Sequence, residues 1–172
     1  MAAAPFHNWS ISVYPDVPTL VTAWLTTMPK ISVLVFILEF QGFAVLNNWS
    51  TYTLVLSIST LLSLIIGSLG GLVQYNIKRL LAYSTISHVG FMLLVFAIKT
   101  ISSIEAFLFY LLQYSLVNTL TFFVLIAFGL ILPITKNIYS PLLFISQLKG
   151  QYQVNPLLCL SLVIVLFSLA GI

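Results

Sequence analysis

Charge is what this sequence has least of. Only 5% of its 172 residues are Asp, Glu, Lys or Arg, against roughly 25% in an ordinary soluble domain. That scarcity excludes a solvated globular surface. Six basic residues against three acidic ones leave a formal charge of +3, but they are too scattered to form the basic stripe that nucleic acid requires. No nucleic-acid partner is expected. Cysteine is nearly absent too: Cys159 stands alone in an apolar run, which rules out an intrachain disulfide. There is no paired-Cys or His cluster for a metal, no glycine-rich phosphate loop after a strand, and no set of nucleophile, base and acid. The opening residues MAAAPFHNW lack the charged start and cleavage pattern of a signal peptide, so insertion is expected to use the helices themselves. A conductive or transport role is what these absences leave.

What is present is hydrophobicity. Apolar residues make up 60% of the chain and the mean hydropathy is +1.14, which marks an integral membrane protein. The predicted fold class is an all-α membrane protein with about five transmembrane helices. Residues 1–18 interleave Pro5, Pro15 and Pro18 with Phe6, Trp9 and Tyr14, a mixture expected of an interfacial loop. Four spans with short loops are expected within 19–132, at 19–40, 49–73, 80–98 and 106–132. Each is long enough for a hydrocarbon core of roughly 30 Å at about 1.5 Å per residue. Gly67, Gly70 and Gly71 near the end of the second span are of the size that lets another helix backbone come close. Residues 133–155 read as a long loop, and 156–172 as the first half of a broken transmembrane helix.

This order puts Lys78, Arg79, Lys136 and Lys149 on one face, with Lys99 opposite and Lys30 inside the membrane. By the positive-inside rule the basic face is the matrix or cytoplasm, so 133–155 is a matrix-side loop. The stretch QYNIKRLLAYSTISHVG, residues 74–90, then reads as a solvent-side turn followed by a polar helix entrance.

Lys30 is the leading candidate for chemistry. It lies about ten residues from either end of its span, roughly 15 Å from each interface, too deep for its stem to snorkel. A charge at that depth costs about 2.5–3.5 kcal/mol on insertion scales, so such lysines face a protein interior, a wet cavity or a counter-charge. A proton carrier is one reading; a structural ion pair or a displaced span boundary is the other. Pro29 removes the N–H that would bond the Leu25 carbonyl, and Thr26 and Thr27 one turn earlier are placed to hold water. Lys78 and Arg79 read equally as positive-inside anchors. His88, one turn after Ser84, is either a neutral histidine bonded to a hydroxyl or a proton relay. Tyr114, Ser115, Asn118 and Thr119 form a polar patch that fits a hydrated path or interhelical hydrogen bonding.

Taken together, AAAPFHNW (2–9), VYPDVPTLVTAWLTTMPK (13–30), QYNIKRLLAYSTISHVGF (74–91) and FSLAGI (167–172) resemble the antiporter-like membrane subunits of respiratory complex I, the proton-pumping NADH:ubiquinone oxidoreductase. The resemblance covers essentially the whole chain. IKRLLAYSTISHVG is common to the wider family; the AAPFH and MPK segments, and LLQYSLVNTLTFF in place of a helix with His and Lys, point to the subunit 2 branch. What it implies is one section of an antiporter-like helical bundle in the membrane arm, with protons crossing along a line of mid-membrane lysines. Lys30 matches one central lysine, Lys78 a basic residue proposed for proton uptake from the matrix side, and His88 a histidine of the same motif. It further implies that FMN, iron–sulfur clusters and ubiquinone are held by other subunits of the complex, and none by this chain.

The family also has a central lysine just before the segment matching AAAPFH, preceded by a helix with a glutamate, and another lysine after the segment matching FSLAGI. Residues 1–18 would thus follow a missing helix. A divided subunit is expected, with separate polypeptides completing the bundle; an incomplete gene product is the alternative. The functional readings are a working part of a proton path, a non-conducting structural remnant of the same arm, and a subunit of a multisubunit cation/proton antiporter. Partners would be lipids and the other membrane-arm subunits. The low charge and high aromatic content favour a mitochondrial inner membrane over a bacterial plasma membrane.

Overall fold

A computed structural model describes residues 2–46, 50–98, 100–131 and 144–171. Its helices are α1 (Asn8–Asp16), α2 (Thr19–Leu46), α3 (Ser50–Leu72), α4 (Ile77–Ile98), α5 (Ile101–Ile131), α6 (Gln151–Val154) and α7 (Pro156–Ala170), with a 3-10 turn at Ile145–Leu148. Among the described residues there is no sheet, only an isolated antiparallel bridge between Asn76 and Phe144. Among the described residues four helices are long and apolar enough to cross a membrane, at Thr19–Phe40, Tyr52–Leu72, Ile77–Ile98 and Ile101–Leu130. α7 is apolar but shorter. The all-α membrane architecture read from hydropathy is the one observed.

The boundaries differ from the sequence reading in instructive places. Residues 8–16 are helical, not loop, although Pro15 leaves the Ile11 carbonyl without its usual donor. Ser10 and Tyr14, four residues apart, form the buried face that docks α1 onto the bundle. α4 begins at Ile77, so Lys78 and Arg79 belong to its first turn rather than to a solvent-side loop. α2 continues to Leu46, through most of the loop expected at 41–48, whose last two residues lie outside the described residues. Within the loop expected at 133–155, residues 133–143 lie outside the described residues, as do Lys99 and Lys136; the remainder holds the 3-10 turn and α6. α7 starts on Pro156, where a missing N–H costs nothing, and ends at Gly171 in the left-handed region (φ 87°), whose N–H caps Phe167 and Ser168.

α3 and α4 form a tight antiparallel hairpin, α2 and α7 pack on α5, and α1 rests on α4. Outward faces are greasy: Leu20, Trp24, Phe36, Leu54, Leu72 and Phe123 are exposed, as lipid contact favours. The interior is divided by height. One apolar cluster gathers Leu34, Val89, Met92, Phe96, Phe107 and Leu111; the other holds Ile77, Leu81, Phe122, Leu125 and Phe128. On α4 and α5 the residues between these clusters include Thr85, His88, Asn118 and Thr121. A polar layer therefore lies at mid-height inside an apolar bundle.

Candidate functional site

The polar layer is built by helical spacing. On α2, Thr19, Thr22, Thr26 and Lys30 recur at three and four residues and all are buried, so they make one inward row that ends on the lysine. Three hydroxyls on this helix are satisfied locally: Thr22 donates to the Thr19 carbonyl (2.7 Å), while Thr26 and Thr27 donate to that of Ala23 (3.0 and 2.9 Å). From α5, Asn118 Nδ2 donates to Thr26 Oγ1 at 2.8 Å. Of the polar patch expected on α5, Tyr114 and Asn118 face the interior, whereas Ser115 and Thr119 turn back to their own helix carbonyls.

Lys30 is 4% exposed. Its Nζ donates to Tyr114 Oη at 3.4 Å and lies 5.8 Å from the ring centroids of both Tyr14 and Tyr114, within cation–π range. Among the described residues no carboxylate forms an ion pair with it, so the structural ion-pair reading has no partner there. The ammonium is held by aromatic faces and one phenol.

His88 lies on the far side of Tyr114, ring centroids 5.1 Å apart. The hydroxyl that meets its Nδ1 belongs to Tyr110, at 2.6 Å, and not to Ser84. Sharing a helix face brings Ser84 near, but the imidazole reaches across to α5. Beside it, a cavity of about 400 Å³ opens among α4, α5 and α7, lined by His88, Tyr110, Gln113, Tyr114, Met92 and Ser168. Lys30, Tyr114, His88 and Tyr110 thus form one continuous cluster leading to that cavity.

Lys78 is separate from this cluster. It is 3% exposed, and its Nζ donates to the Val17 carbonyl at 2.6 Å. That carbonyl is at the C-terminal end of α1, where the helix dipole is negative and Asp16 adds a carboxylate. Arg79 beside it is exposed. The anchor reading therefore suits Arg79, while Lys78 clasps α1 to α4. Among the described residues no group of three or more His, Cys, Asp or Glu side chains is placed to hold a metal.

The family model described as NADH:quinone oxidoreductase/Mrp antiporter, TM, matches residues 1–172. The chain belongs to this family. Among members of the NADH:quinone oxidoreductase/Mrp antiporter family, it is 65% identical over 173 residues to NADH-ubiquinone oxidoreductase chain 2 of Rhizopus oryzae, covering 100% of this chain and 33% of the relative. It is 37% identical over 175 residues to NADH-quinone oxidoreductase subunit N of Acidithiobacillus ferrooxidans, covering 100% and 34%. A chain of respiratory complex I from Thermus thermophilus, solved with bound aureothin, superposes with a TM-score of 0.74 at 33% identity, covering 99% of this chain and 35% of that one. The similarity to subunit 2 expected from the motifs thus extends over the whole chain, which spans about a third of the length of these relatives.

Sequence reasoning passed over two residues of the site. Tyr110 was findable: it precedes Tyr114 by one turn and shares the inward face that continues to Asn118 and Thr121. Tyr14 carried no such signal. Among prolines it reads as an interfacial aromatic, and only the docking of α1 brings it to Lys30.

Proposed function

We propose that this chain forms part of a proton path in the membrane arm of a respiratory NADH:quinone oxidoreductase in the mitochondrial inner membrane, with Lys30 as the group that gains and releases the proton. The observation that carries this reading is a buried ammonium with no carboxylate partner among the described residues, at the end of a threonine row on one side and beside the Tyr114–His88–Tyr110 cluster on the other. A lysine at mid-membrane without a counter-charge is costly, and ionisable residues kept at that depth mark ion paths and proton relays. Thr19, Thr22 and Thr26 offer lone pairs to water approaching from the Lys78 end. His88, with two ring nitrogens, can pass a proton between the Tyr114 side and the cavity at α7. Lys78 works at the uptake end, through its hold on α1.

In this reading the redox steps lie elsewhere. FMN, iron–sulfur clusters and ubiquinone are held by other subunits, and neighbouring membrane-arm polypeptides supply further central lysines, a glutamate-bearing helix and the rest of the bundle, within a lipid surround. Replacing the amine at nearly constant length tests it. Lys30→Met in the membrane complex containing this chain should lower protons translocated per NADH oxidised at least several-fold; an unchanged ratio rejects Lys30 as a carrier. Loss of assembled complex with normal pumping by the remainder favours the structural reading. Because the family also includes Mrp antiporters, sodium-dependent exchange independent of NADH oxidation would move the assignment there.

A further inference from the structure

The packing around Lys30 leaves one buried group without a role. Tyr14 is 1% exposed, yet its hydroxyl has no hydrogen-bond partner among the described residues. A phenol is normally paired when it is buried this completely. Its ring stands against Lys30 Nζ at the same 5.8 Å as that of Tyr114. The amine has the converse shortage: an ammonium has three N–H donors, and among the described residues one of them is taken, by Tyr114 Oη. A buried, unpaired phenol and an amine with a single hydrogen bond among the described residues therefore lie beside each other, with the Tyr14 and Tyr114 rings against the amine.

We propose that Tyr14 is a positioning residue for Lys30, its hydroxyl seating a single water molecule against the amine. This rests on the proton-carrying reading of Lys30 and gives that residue its immediate hydrogen-bond partner. Water fits because it both accepts and donates. When Lys30 is charged, the water accepts an N–H; when Lys30 is neutral, the same water turns and donates to the nitrogen lone pair. Burial pushes the Tyr14 phenol up to about 12, so the hydroxyl stays protonated and serves as a fixed donor to the water. The location of Tyr14 on α1 has a further consequence. α1 is clasped to α4 through Val17 and Lys78, so the water site is held by an element outside the spanning helices.

The test uses the assembled membrane complex. A density map resolving ordered waters should show one within hydrogen-bond reach of both Tyr14 Oη and Lys30 Nζ, and that peak should vanish in Tyr14→Phe, which keeps the ring. Tyr14→Phe should also lower proton translocation per NADH by about tenfold or less, the scale of one hydrogen bond to the reacting group. In a Lys30→Met background it should add nothing. A wild-type map with no water bridging the two groups overturns the inference, and needs no variant to fold. So does a Tyr14→Phe complex that assembles and pumps as wild type while Lys30→Met is impaired. If Lys30→Met itself pumps normally, the proton-carrying reading falls, and a bridging water then has no translocation role.

Discussion

At the scale of single residues, the two buried lysines illustrate opposite uses of one side chain. Lys30 ends among rings with one weak hydrogen bond at 3.4 Å, whereas Lys78 ends on a carbonyl at 2.6 Å. The first is loosely held and the second is a clasp. Replacing Lys78 with Met leaves the Val17 carbonyl short of its donor and removes the charge facing the α1 dipole. The expected cost is about 1–3 kcal/mol, read as a lower midpoint in detergent denaturation and less assembled complex. Lys78→Arg retains the charge and should recover much of this. A Lys78→Met protein with wild-type stability but defective proton uptake would make Lys78 a carrier and not a clasp. The sequence disclosed that Lys30 was unusual, because depth in a hydrophobic run is a local property, whereas Lys78 read as a residue at a water interface. It did not disclose their partners, because the Val17–Lys78 and Lys30–Tyr114 contacts join residues 61 and 84 positions apart, and no local spacing encodes them.

Between helices, close approach is set by glycine at three points of the α3–α4 hairpin, one of them Gly70 against the Tyr83 ring. A Cβ on Gly67 would sit 2.7 Å from the Ser87 backbone nitrogen, and one on Gly90 would meet Ser63 Oγ at 2.7 Å. Backbone cannot yield as a side-chain tip can, so Gly67→Ala must spread the two helices. A destabilisation of about 1–3 kcal/mol is expected. Gly71→Ala is the internal control: its nearest neighbour is Tyr83 Cβ at 3.6 Å, an ordinary contact, and stability should hold. Equal losses from both substitutions in a denaturation assay would show that the approach at Gly67 does not govern the seam, because helix propensity alone favours alanine at both positions. The glycine cluster was visible in the sequence as a place where helices come close; which member mattered was not, since that depends on the rotation of α3 against α4. The same limit explains α1. Its nine residues are too short and too interrupted by Pro15 to announce a helix, and burial of Ser10 and Tyr14 against the bundle is what stabilises it.

Across the whole molecule, backbone and side-chain contacts tie three segments to one end of the bundle. Val17 meets Lys78, Ile145 N–H donates to the Tyr75 carbonyl at 3.0 Å, and Asn76 pairs with Phe144. The end of α1, the α3–α4 turn and the segment before α7 therefore share one side of the membrane, with exposed Arg79 and Lys149 among them. α4 and α5 are each long and apolar enough to cross once, and two such crossings put exposed Thr100 and Ser102, at the start of α5, on the other side. Cys159 is the chain's sole thiol, so a Cys159→Ser background makes single-cysteine labelling unambiguous. In sealed inner-membrane vesicles, a membrane-impermeant maleimide should label Arg79→Cys and Lys149→Cys from the same side, and Ser102→Cys only from the opposite one. By the positive-inside rule the Arg79 side is the matrix or cytoplasmic face. Labelling of Arg79→Cys and Lys149→Cys from different sides would mean that α4 and α5 do not both span. The mid-height polar layer, with Lys30 in it, would then lose its position between two aqueous phases, and the proton path would lose its physical basis.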